Sequence, residues 1–192
     1  DKKFEISNYL DFSKNDNTKV HSCEINSVNF FKNSFSIGDR TRSFLKVQDG
    51  CDYKCTYCTI PLARGKSRSG KIEDLISNAE YLVCNGIKEI VLTGVNIGDY
   101  GIYDPNSNER ETNFFKLIKE FNKVKMLDRV RISSIEPNLL TDDIISFVSK
   151  SNMFVNHFHI PLQSGSDKIL NLMQRRYMTS LYSSRIKKIK EL

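Results

Sequence analysis

A chain of 192 residues, 39% of them hydrophobic, can bury one substantial core, and its 29 Lys and Arg against 23 Asp and Glu favour an anionic partner such as nucleic acid. No apolar run approaches the roughly 20 residues that cross a bilayer, and the start "DKKFEISNYLDFSK" has no signal-peptide core, so no membrane partner and a cytoplasmic location are expected. Five cysteines, an odd number in a chain that needs no crosslinks to fold, argue against a disulfide framework and for metal or thiol chemistry.

Residues 1–42, rich in Asn, Ser, Lys and Asp, read as a linker or the remnant of an upstream domain, with one short strand over "KVHSCEINSV". From residue 43 to 192 the texture changes to a single α/β domain. Strands are predicted at "FLKVQ" from 44, "EIVLTGV" from 89, "RVRISSI" from 129 and "FVNHFHIPL" from 154. Helical spacing fills the gaps: Ile72, Leu75, Ile76, Ala79, Leu82 and Val83 form one apolar face, and Phe114, Phe115, Leu117, Ile118 and Phe121 another. Thr141 caps "DDIISFVSK", and "DKILNLMQRR" and "LYSSRIKKIKEL" read as the last helices. Four strand-then-helix units with strands apolar along nearly their whole length predict a parallel sheet buried on both faces by outer helices. Ligands gather in such folds where strand C-termini open into loops. The chemistry-bearing residues fall at those points.

After the first strand, "GCDYKCTYCTIP" places Cys51, Cys55 and Cys58 on one loop. Structural zinc normally takes four ligands. Cys84 lies within a predicted helix among apolar neighbours and reads as core, while Cys23 sits alone in the irregular N-terminal stretch. Three thiolates suit a cubane 4Fe–4S cluster, holding three irons and leaving the fourth open for chemistry. Zinc with a distant fourth ligand remains the alternative.

The trio, with Tyr57 before its last cysteine, resembles the signature of radical S-adenosylmethionine enzymes. "FLKVQDGCDYKCTYCTIPLARGKSRS", "VLTGVNIGDYG", "RVRISSIEP" and "HFHIPLQSGSDKILNLMQRRY" together are similar to the methylthiotransferases of that family from Ser43 to Tyr177. "KVQDGC" and "IPLARGKSRS" are closest to the threonylcarbamoyladenosine tRNA branch. The resemblance implies a partial (β/α) barrel with about four of six βα units present. It also implies a transferase that adds a methylthio group at C2 of N6-threonylcarbamoyladenosine beside the tRNA anticodon. The cofactors would be the 4Fe–4S cluster, which reduces S-adenosylmethionine to a 5'-deoxyadenosyl radical, and S-adenosylmethionine itself. Partners would be tRNA, not DNA, and an electron donor such as flavodoxin or ferredoxin.

Carried over residue by residue, the resemblance makes Cys51, Cys55 and Cys58 the cluster ligands and sets Tyr57 beside the adenine of the cofactor. Gly94 and Asn96 would meet its methionine part, with Ser134 and Glu136 near the ribose, since a carboxylate can accept from two hydroxyls. Gln163, Ser164 and Arg175 complete the expected contacts, with Gly165 serving the turn. Arg64, Lys66 and Arg68 directly follow the loop and are expected to touch RNA phosphate. His157 and His159, two apart in the fourth strand, would share one face and read as structural.

The chain departs from the family in having Cys23 alone ahead of the core, too few ligands for the auxiliary cluster expected in a full-length protein. It therefore reads as a core fragment that alone would be inactive. Two other functions compete: a methylthiotransferase acting on another modified adenosine or on a ribosomal protein, and a non-catalytic zinc-stabilised RNA-binding module.

Overall fold

The computed structural model describes residues 6–9, 20, 23–38, 41–107 and 109–192. Ser34–Phe35 (β1) runs antiparallel to Arg42–Lys46 (β2), pairing Phe35 with Leu45. Gln48–Asp49 (β3) turns out of that line. After the cysteine loop and the short helix Ile60–Arg64 (α1), it meets Arg68–Ser69 (β4) in a small antiparallel ladder. Ile72–Cys84 (α2) then leads to Glu89–Thr93 (β5), which lies parallel to β2 with Leu45 opposite Leu92. Phe114–Phe121 (α3) crosses to Arg129–Ile132 (β6), parallel to β5, and Asp142–Lys150 (α4) follows. Asp167–Leu172 (α5) and Thr179–Lys190 (α6) close the described chain. The main sheet has the order β1-β2-β5-β6.

Helices α2, α3 and α4 form where the sequence spacing predicts them because each buries one apolar stripe on the sheet, whereas α6 buries no residue fully. Leu75, Ala79, Leu82 and Val83 of α2, Leu117, Ile118 and Phe121 of α3, and Ile144, Ile145 and Val148 of α4 join Leu45, Ile90, Leu92, Val130 and Ile132 in one core. Asn113 and Thr141 cap α3 and α4 by accepting from the backbone N–H of Lys116 and Ile144.

Several expectations need correction. The predicted strand over 19–28 is absent from its described part, where Ile25–Ser27 form a turn of 3-10 helix; the added strand is β1. Burial on both faces holds for β5 only. β2 and β6 alternate, leaving Phe44 44% exposed, because the helices cover one side of the sheet. On that opposite side Glu89 pairs with Arg42, Arg129 and Arg131 at 3.7, 3.4 and 3.2 Å, charges an apolar two-faced strand would not carry. The fourth predicted strand reduces to two parallel bridges, Val130 with Phe154 and Ser134 with His159. His157 lies outside any strand and His159 makes one isolated bridge, so the continuous strand that would give them a shared face is absent there, and both are exposed. Cys84, expected in the core, is exposed at the last position of α2, on the helix side away from Leu82 and Val83.

Candidate active site

Parallel strands deliver their C-terminal ends to one edge of the sheet, and from there leave the segments after β5 and β6 that carry Gly94 and Asn96, and Ser134 and Glu136. The cysteine loop begins with Gly50, whose φ of 71° and whose closeness to Lys66 demand glycine: a Cβ there would lie 2.0 Å from the Lys66 carbonyl oxygen. Cys51 N–H donates to Gly65 O at 3.0 Å, which closes the loop on itself.

Beneath it sits Gln48, fully buried, a residue whose role sequence reading did not anticipate. Its Nε2 donates to the carbonyls of Asp49 and Gly50 and to Ser67 Oγ, and its Oε1 accepts from the backbone N–H of Asn96 at 2.8 Å. One amide thus ties the root of the cysteine loop to the end of β5. Gly94 lies against it; a Cβ at Gly94 would sit 3.0 Å from Gln48 Oε1. The signal available in sequence was a glutamine at the end of a strand run, just ahead of the Asp-Gly step that opens the cysteine loop.

Asp49 is likewise buried, ion-paired with Lys46, Arg64 and Arg68 at 3.3, 3.3 and 3.4 Å. Burial pushes its carboxyl up, but Lys46, Arg68, the Gly50 N–H and Arg64 together hold it below the usual carboxylate value. Arg68 cannot serve as the expected RNA contact. Its side chain is 5% exposed and donates to Phe30 O, Arg64 O and Lys66 O besides pairing with Asp49. Arg64 and Lys66 are exposed.

The three cysteines are free and half-buried. Donors point at two of the sulfurs: Tyr53 N–H at 3.4 Å and Asn96 Nδ2 at 4.0 Å from Cys51, and Arg175 Nη1 at 3.4 Å from Cys55. Burial raises the Cys51 thiol, so a metal there would have to displace its proton. Among the described residues no three His, Cys, Asp or Glu side chains gather as ligands of one ion. A cubane spreads its thiolates over three irons, so its ligands stand farther apart than those of one zinc. Three free thiols on one loop, with N–H donors turned to two of the sulfurs, suit the ligand set of such a cluster.

Arg175 links the loop to the other strand ends. It is 8% exposed, and its Nη2 donates to both carboxylate oxygens of Glu136, while Nη1 also donates to Tyr57 Oη at 3.0 Å. Burial disfavours its charge, but Glu136 more than restores it, so the guanidinium stays protonated. The Glu136 carboxylate expected to face ribose is therefore an ion-pair partner, each oxygen keeping a second lone pair. Tyr57, half-exposed, donates to Gln163 Oε1 at 3.2 Å. Gln163 itself adopts φ 63°, so the left-handed residue of this turn is Gln163 and not Gly165. Ser164 Oγ accepts from Ser166 N–H within the turn, and Ser134 is exposed beside the bridge to His159. Nearby, Thr56 N–H donates to Met173 O, Asn138 donates to Tyr53 Oη, and Arg176 stacks 3.9 Å from the Tyr53 ring centre. A cavity of about 450 Å³ is lined by Cys51, Tyr53, Leu62 and Lys66 among others, and not by Gly94, Glu136 or Gln163. No helix among the described residues is long and apolar enough to cross a membrane.

The model of the radical SAM superfamily matches residues 45–192. The threonylcarbamoyladenosine tRNA methylthiotransferase MtaB of Bacillus subtilis (strain 168) is 45% identical over 154 residues, 80% of this chain and 33% of that protein. A tRNA-2-methylthio-N(6)-dimethylallyladenosine synthase of Clostridium perfringens (strain SM101 / Type A) is 40% identical over 149 residues, covering 78% and 32% respectively. The chain thus spans about a third of the length of these curated relatives. Among solved structures, the radical S-adenosylmethionine methyltransferase TsrM from Kitasatospora setae superposes with a TM-score of 0.59 at 14% identity, over 77% of this chain and 28% of that one, a likeness of fold.

Proposed function

The chain belongs to the radical SAM superfamily, and on that premise we propose that it is the radical core of a cytoplasmic tRNA methylthiotransferase acting at C2 of N6-threonylcarbamoyladenosine. The observation that carries this reading is the 45% identity to the Bacillus subtilis MtaB over a stretch that includes the cysteine loop and the strand ends that meet it. When bound, the 4Fe–4S cluster would supply an electron to S-adenosylmethionine, and the cofactor would supply the radical that removes hydrogen from carbon.

This chain's residues bind and orient. Cys51, Cys55 and Cys58 hold the cluster. Gln48 keeps the root of their loop level with Asn96, so the sulfurs and the end of β5 move as one body. Gly94, Asn96, Ser134, Gln163 and Ser164 take the cofactor from the strand ends, and Tyr57 lies over it with its hydroxyl held by Gln163 and Arg175. The free lone pairs of Glu136 accept from ribose while Arg175 holds the carboxylate in place through its two-pronged pair. Arg64 and Lys66, exposed beside the loop, meet phosphates of an anticodon loop whose target base is splayed out to reach the site. Electrons come from a small carrier protein of the flavodoxin or ferredoxin kind.

Nucleoside mass spectrometry of tRNA from a strain lacking the full gene tests this. Loss of the 2-methylthio form with accumulation of N6-threonylcarbamoyladenosine, restored by the intact gene and not by its Cys55→Ala form, is expected. The 40% identity to the dimethylallyladenosine synthase favours one second reading, another modified adenosine as substrate, and loss of that nucleoside's methylthio group instead would select it. Both nucleosides unchanged would refute a tRNA substrate.

A further inference from the structure

The segment 173–177 grips the cysteine loop at three points. Met173 O accepts from Thr56 N–H, Arg176 stacks on Tyr53, and Arg175 Nη1 donates to both Cys55 Sγ and Tyr57 Oη. Arg175 cannot swing away without breaking its two-pronged pair with Glu136. Its guanidinium lies 5.3 Å from the ring of Tyr177, whose hydroxyl is itself pinned to the carbonyls of Pro161 and Leu162. Gln174, between the gripping residues, takes φ 55°, a left-handed turn that a non-glycine residue holds only where its surroundings enforce it. The Nε–H of Arg175 is buried and has no hydrogen-bond partner among the described residues, so the guanidinium is not spent wholly on folding.

We propose that Arg175 raises the reduction potential of the iron–sulfur cluster through the sulfur of Cys55, with Glu136 as the residue that positions it and moderates its charge. This tuning rests on the reading that Cys51, Cys55 and Cys58 hold that cluster. One-electron reduction adds one negative charge to the cluster and its thiolates. A buried cation and an N–H donor at a ligand sulfur stabilise the more negative form more than the oxidised one, and so raise the potential. Glu136 opposes this, but its carboxylate lies on Nη2 while the Nη1 edge faces the sulfur, so the positive end of the pair is turned towards Cys55. Partial burial makes the effect larger than it would be in water.

The test uses the parent chain, Arg175→Gln and Glu136→Gln, each reconstituted anaerobically with iron and sulfide. Iron and sulfide content is measured first. The cluster is then titrated with dithionite as the one-electron reductant, without S-adenosylmethionine, and its reduced form is read by electron paramagnetic resonance. Arg175→Gln is expected to load and to show about a tenfold lower ratio of reduced to oxidised cluster at a fixed potential, a shift of about 59 mV to more negative values for one electron. Glu136→Gln is expected to shift the other way, because it removes the opposing charge and keeps an acceptor for Arg175. Residues that served only the fold would not produce opposite shifts. Loaded variants that both match the parent overturn the tuning and leave the cluster reading standing, whereas a parent without stoichiometric iron and sulfide overturns that reading and the tuning with it. If Arg175→Gln does not load, Glu136→Gln decides: a less negative potential supports the tuning, and an unchanged or more negative one overturns it. If neither variant loads, the pair builds the site rather than tuning it, and the tuning is overturned.

Discussion

Replacing Gln48 by Met should cost this chain about 3 kcal/mol. The substitution keeps the length of a fully buried side chain and deletes its polar atoms. Asn96 N–H loses an acceptor at 2.8 Å and Gly50 O loses a donor at 2.8 Å, both in the interior. Each buried group left unpaired costs about 1–3 kcal/mol, so the two together span about 2–6 kcal/mol. Ser67 Oγ and Asp49 O lose weaker contacts at 3.0 and 3.1 Å, and a hydroxyl can rotate to compensate. Water entry relieves the upper end of the range, which leaves about 3 kcal/mol, a large share of the roughly 5–15 kcal/mol that holds a domain folded. Urea unfolding followed by circular dichroism measures it: with a slope of about 1–3 kcal/mol/M, the midpoint should fall by about 1–3 M at unchanged slope. The loosened loop root should also let a thiol reagent reach Cys51 faster. A midpoint within about 0.2 M of the parent would refute the claim that this amide anchors the loop.

Tyr100, fully buried with its hydroxyl donating to Gly70 O at 2.6 Å, should lose about 1–3 kcal/mol as Tyr100→Phe, and an unchanged unfolding midpoint would count against it. Arg68→Gln should destabilise by about 3 kcal/mol or more, because it strips donors from three carbonyls and a cation from Asp49. Lys66→Gln should instead leave stability within about 0.5 kcal/mol and lower the salt slope of tRNA binding by about 1; the reverse pattern would mean the two roles are exchanged. For Asp49 the folded pKa lies below the unfolded one, near 3.9, so its stabilisation is complete above that pH and is lost as pH falls towards the folded value. Stability of the parent should therefore drop more steeply below about pH 4 than that of Asp49→Asn, and parallel acid profiles would remove Asp49 from the account.

Local pattern in the amino-acid sequence was enough to place the three-thiol loop, the apolar faces of α2, α3 and α4, and the strand centres that hold the site edge. Those features depend on spacing along the chain: a period of 3.6 sets a helix face, and three cysteines within eight positions share a loop wherever it goes. Which charges are buried and with whom depends on segments that meet only after folding. Arg68 looked like one of a row of exposed cations until β3 and β4 paired and set it on Asp49. Glu136 and Arg175, 39 residues apart, each looked like a separate contact, and the fold joins them over Cys55. Cys84 shares its helix with buried leucines and still faces out, since one residue's rotation about the axis decides its side. The thinning of the fourth strand to two bridges has the same origin, because a ladder needs one continuous register, and Phe154 meets Val130 within β6 whereas His159 meets Ser134 beyond its end. Spacing along the chain puts three thiols on one loop, whereas folding selects the neighbours around them, because electrostatic partnership and burial are set by distance in space, not along the chain.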